Sequence, residues 1–158
     1  MKALQAETGK SKLCLLNKVL VAVDLSENSA TTATYAAQLA KCFGASLTLT
    51  HIHEPVPLYE YASETTCTIL DEQRDDLCKR LRGLTEQVRK VGVACDALFL
   101  DGDPAQQISA FAEEINADLI VIGGHRSTLL GRFFNLDKAP QIRRRARRPV
   151  LIFPGKTT

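Results

Sequence analysis

Apolar residues along this chain form short continuous runs that alternate with longer stretches of helical periodicity. The first run, over 18–23, is rich in β-branched residues and does not alternate with polar ones. That pattern predicts a strand buried on both faces. Further strands are predicted over 46–52, 94–100, 119–122 and 150–153. Helices are predicted over 29–43, 68–90 and 104–115, with a fourth from Asp137 to about Arg147. Ala30, Ala33, Ala37 and Ala40 place small residues on one face of the first helix, so it can lie close on a sheet. Leu70, Leu77, Leu81, Leu84, Val88 and Val91 give the second helix its stripe.

Boundary chemistry agrees with these assignments. Gly44 and Gly92 follow the first two helices, where a left-handed cap is needed. Asp103 and Pro104 stand at the N-cap and first turn of the third. Pro149 stops the fourth, whose apolar positions are Leu136, Ala139, Ile142 and Ala146.

Strand and helix therefore alternate five strands to four helices. Crossovers of that length impose a parallel sheet covered by helices on both faces, an open twisted α/β domain. Ligands of such sheets bind beyond the carboxyl ends of the strands, where strand order reverses. Asp24 and Gly123 each follow a strand and are candidates to line that crevice.

With 158 residues, 45% hydrophobic and 24% charged, the chain has the size and composition of one globular domain. The expected division is a tail over 1–16, a domain over 17–154 and a short tail over 155–158. No apolar run reaches the roughly 20 residues of a membrane helix, and the polar N-terminus lacks a secretory signal. Five cysteines, none in a Cys-x-x-Cys pair, read as reduced thiols, so the expected location is cytoplasmic.

Net charge is +2, but Lys138, Arg143, Arg144, Arg145, Arg147 and Arg148 concentrate six positive charges in one segment. On a continuous helix Arg143 aligns with Arg147 and Arg144 with Arg148. A solvated helix face is the favoured reading of 138–148, and an acidic protein partner the alternative. Nucleic acid is disfavoured because no aromatic platform accompanies the charge. His51 and His53 share one strand face, with Glu54 following, but two histidines without a matched third ligand do not make a metal site. His125 lacks a nucleophile motif and reads as a loop residue.

Five segments in order carry a resemblance: 19–29 around Asp24, 51–55, 101–104, 117–125 and 148–152. Together they resemble the universal stress proteins. The resemblance implies strand order 3-2-1-4-5 and a homodimer paired through the last strand. It assigns Asp24 and Ile52 to the base side of a nucleotide crevice, and Gly102 to a position near the ribose. ATP-binding members carry Gly-x-x-Gly, nine residues, then Gly-Ser or Gly-Thr. Here Gly123 matches the first glycine, Arg126 replaces the second, and Leu136-Asp137 replace the final pair.

A phosphate cradle needs bare backbone and a free helix N-terminus. Asp137 would occupy that terminus with a carboxylate. The expectation is a non-catalytic stress-response module with weak or absent ATP binding and no cofactor. The alternative is an ATP- or AMP-binding switch or slow ATPase using Mg, with Arg126, Arg132 and Lys138 holding phosphate by side chains.

Overall fold

The computed structural model describes residues 16–54, 64–123 and 138–154. In chain order the elements are β1 (Lys18–Ala22), α1 (Ser29–Phe43), β2 (Ser46–His53) and α2 (Glu64–Lys90), then β3 (Cys95–Asp101), α3 (Pro104–Glu114), β4 (Leu119–Gly123), α4 (Lys138–Arg145) and β5 (Val150–Phe153). All neighbouring strands pair in parallel, in the order β3-β2-β1-β4-β5, as expected. Leu20 lies level with Thr48 on one side and Ile120 on the other. None of the described helices is long and apolar enough to cross a membrane.

Strand periodicity divides the core in two. Val19, Val21, Leu47, Leu49 and Val121 face one layer, with α1 and α2 above them. Leu20, Ala22, Ile52, Ile120 and Ile122 face the other, with α3 and α4. The small-residue face of α1 is centred one residue further along than expected. Ala33, Ala36, Ala37 and Ala40 are fully buried, while Ala30 in the first turn is exposed. Gly44 closes α1 at φ 68°, its N–H donating to the carbonyls of Ala40 and Lys41.

Several boundaries differ from the sequence expectation, most of them by one residue. The α2 helix starts at Glu64, ahead of the expected 68; threonines at 65, 66 and 68 are weak helix formers, so propensity alone places the start too late. The β2 strand runs one residue further, to His53. The α4 helix ends at Arg145 because a residue before proline is pushed out of the helical region, here Arg148 before Pro149. The pairs Arg143–Arg147 and Arg144–Arg148 therefore do not share a helix face. Arg148 instead approaches Glu113 with Nε 3.4 Å from Oε1. The start expected at Asp137 lies outside the described residues.

The amino edge of the sheet is tied down by one carboxylate. Asp118 Oδ2 accepts the backbone N–H of Asn17 at 2.7 Å and of Lys18 at 3.0 Å. Leu16 packs against the first core layer.

Candidate functional site

The carboxyl ends of β1 and β4 meet where strand order reverses, and the chain leaves β1 through a tightly held turn. Asp24 Oδ1 accepts the Ser26 N–H at 3.0 Å and the Ser29 hydroxyl at 2.7 Å. The next residue, Leu25, is buried in the left-handed region at φ 58°. A bulky residue there is strained, and strain of this kind persists only when its surroundings hold it. Its surroundings do: the Arg80 guanidinium of α2 donates to the Leu25 carbonyl. The capping role of Asp24 thus falls on the turn and on Ser29. Asn28, at the formal N-cap, makes no side-chain capping bond.

Burial opposes ionisation of Asp24, but the bonds from Ser26 and Ser29 outweigh it and hold its pKa below the ordinary carboxylate value.

The sheet brings the sequence-predicted residues to one edge. Ala22 is level with Thr50, so Asp24 emerges at the level of Ile52. The Ile52 side chain is 1% exposed in the α3-side core and does not line the cavity beside Asp24. Gly102 follows β3 at φ 127° and donates its N–H to the His53 carbonyl at 2.9 Å. Any side chain there would be strained, and a Cβ would stand 2.9 Å from the Gln107 amide. At Gly123 a Cβ would meet Thr32 Oγ1 at 3.1 Å, so the absent side chain lets β4 end against α1. Arg126, Leu136, Asp137 and His125 lie outside the described residues.

Beside Asp24 a cavity of about 640 Å³ opens between the end of β2 and α2. The sheet contributes Asp24, His51, His53 and Glu54 to it. The helix contributes Leu70, Glu72, Gln73, Asp76, Leu77 and Arg80. Among the described residues four carboxylates therefore face one guanidinium, and Arg80 is already engaged by Leu25 and stands 3.9 Å from Asp76.

The helical wall was not identified from sequence. Its signal was there, since Glu72, Asp76 and Arg80 recur every four residues, but nothing local says where α2 docks.

His51 is 4% exposed, and its Nδ1 lies 2.9 Å from the Val23 carbonyl. A carbonyl only accepts, so Nδ1 carries the proton and Nε2 is left with a lone pair. Burial lowers the His51 pKa, the Val23 bond offsetting only part of the effect. His51 and His53 both pack on Phe99, with ring centroids 5.3 and 6.1 Å away.

Arg74 lies 4.8 Å above the same ring and grips Asp101 with two bonds of 2.6 and 2.8 Å. That pair fastens α2 to the end of β3. Both partners are nearly half exposed, so it positions more than it stabilises.

These shifts fix a pH dependence. The folded His51 pKa is depressed, so its contribution to stability is present above its ordinary value of 6.5 and lost as pH falls below it. Asp24, held down by its bonds from Ser26 and Ser29, contributes stability present above 3.8 and lost as pH falls below that. Asp101, bonded by Arg74, and Asp118, bonded by the N–H groups of Asn17 and Lys18, act in the same sense. Urea denaturation across pH is expected to show two declines in midpoint, and His51→Gln to remove the upper one.

Comparison with known proteins fits this architecture. Residues 16–154 match the universal stress protein family. A universal stress protein of Methanocaldococcus jannaschii is 30% identical over 142 residues, covering 87% of this chain and 82% of the relative. A crystal structure of a universal stress protein in complex with cAMP superposes with a TM-score of 0.66 at 23% identity, covering 89% of this chain and 98% of that one. The Archaeoglobus fulgidus universal stress protein in complex with dAMP gives 0.58 at 23% identity, covering 87% and 98%. The chain is a member of the universal stress protein family.

Proposed function

We propose that this protein is a non-catalytic, homodimeric stress-response module that binds ATP weakly or not at all. The observation that carries this reading is the charge of the cavity beside Asp24, where four carboxylates face one engaged guanidinium. A polyanion that enters this crevice, its base beside Asp24, brings its charge into the field of that acidic wall and meets repulsion. Each pair of like charges about 4 Å apart costs about 1 kcal/mol even at the dielectric of bulk water. The sequence supports the same conclusion on the phosphate side, where Arg126, Leu136 and Asp137 stand in place of Gly-x-x-Gly and Gly-Ser.

Thermal unfolding with Mg–ATP tests it. A ligand at about 100 times its Kd adds about 2.7 kcal/mol to stability. No rise in Tm is expected at millimolar ATP, and a rise of several degrees refutes the reading.

A second reading is a switch responding to AMP or another nucleotide. It is favoured by the relatives solved with cAMP and dAMP, whose single phosphates carry less charge than a triphosphate. A Tm that rises with AMP but not with ATP selects it.

The dimer is proposed through β5. That strand ends the sheet, and Ile152 on it is 47% exposed. Phe153 stacks on Tyr35 at 4.5 Å, which extends the apolar strip onto α1. An unpaired apolar edge is a natural place for strand addition. Sedimentation equilibrium is expected to give a dimer, and Ile152→Asp to shift it to monomer.

A further inference from the structure

The cavity beside Asp24 has a chemistry of its own. Its volume of about 640 Å³ is that of a small-molecule site. Leu70 and Leu77 make one side apolar, while Glu72 and Asp76 lie on the same helix. The buried His51 also lines it. With Nδ1 given to Val23, its Nε2 is an acceptor, and among the described residues nothing donates to it.

Among the described residues the polar wall is therefore rich in acceptors and negative charge and poor in donors and positive charge. Among the described residues no three His, Cys, Asp or Glu groups come close enough to share a metal ion. An ammonium, whose three N–H donors can each meet a separate acceptor, carried on an apolar body, complements that spacing better than a metal does.

We propose that this cavity binds a small amphipathic amine. Its ammonium group sits among the acidic side chains and His51 Nε2, and its apolar body lies against Leu70 and Leu77. The proposal shares the acidic wall with the reading above but concerns a different ligand, so the two fail separately.

Isothermal titration of the full chain with phenethylamine tests it, with 2-phenylethanol as the uncharged counterpart and Mg–ATP as a third arm. The amine is expected to saturate at one site with a Kd of about 1 mM or below. The alcohol is expected not to saturate in that range. Glu72→Gln with Asp76→Asn is expected to weaken the amine about tenfold. Both side chains are exposed, so the fold tolerates the change. His51→Gln, with folding checked by circular dichroism, is expected to weaken it as well.

No saturation by the amine, equal binding of the alcohol, or unchanged affinity in the double variant overturns the proposal. If ATP and the amine both bind, the ATP-free reading fails and this one stands. If neither binds, this one alone fails.

Discussion

Leu20→Ala is expected to destabilise the protein by about 2–5 kcal/mol, the range for removing a fully buried leucine side chain. Leu20 is completely buried at the middle of the central strand, level with Thr48 and Ile120. Its side chain belongs to the layer formed with Ile108 of α3 and Ile142 of α4. Neighbours on both flanking strands are fixed by the ladder, so the cavity cannot close by a strand shift. For a domain of this length each kcal/mol moves Tm by about 2–4 °C. Leu98→Ala, at a position 37% exposed on β3, is the matched control and is expected to cost far less. Urea denaturation of both variants checks the pair. A change within about 0.5 kcal/mol for Leu20→Ala would contradict the placement of the core.

The second large effect is a gain. Leu136→Gly with Asp137→Ser restores the glycine-serine pair of ATP-binding relatives and is expected to tighten Mg–ATP binding about tenfold or more. Two terms act together. By the resemblance to ATP-binding members, the serine removes a carboxylate from the position of their phosphate loop, worth about 1 kcal/mol per nearby charge at the dielectric of water and more where water is excluded. By the same resemblance, the glycine removes a Cβ from a loop that needs bare backbone N–H groups to hold phosphate oxygens. Arg126 stays in this variant, so its positive charge remains available. Fluorescence titration of parent and variant with Mg–ATP measures the ratio. A ratio near one would mean that the acidic wall by α2, and not the loop, limits affinity.

What the sequence made legible follows from which properties are local. Strands such as 119–122 declare themselves because a parallel strand is apolar on both sides, and the Asp103-Pro104 pair marks a helix start by its own chemistry. The structure bears this out, with Asp103 accepting the Gln106 N–H at 2.9 Å and Pro104 buried behind it. Strand order came from family resemblance, since the alternation of elements is compatible with several orders.

The site was only half legible. Asp24, Gly102 and Gly123 could be placed at strand ends because strand ends are local. Ile52 stands level with Asp24, but the sequence does not say which face its side chain takes. Its side chain belongs to the α3 layer, whereas its neighbour His51 turns toward the cavity. A strand run that is apolar on both faces carries no sign of which face meets which helix. Glu72, Asp76 and Arg80 carry no local sign of a site, and only the docking of α2 across the end of β2 makes them a wall.

Calorimetric titration of the full chain with Mg–ATP at low salt gives the most direct reading of whether this crevice accepts a polyphosphate. Low salt leaves the field of the cavity unscreened. No saturable heat is expected up to about 1 mM ATP, a ceiling of roughly 4 kcal/mol in binding free energy. A one-to-one isotherm with a Kd of about 1 μM would contradict it, because no arrangement repelled by its own wall would bind ATP at about 8 kcal/mol.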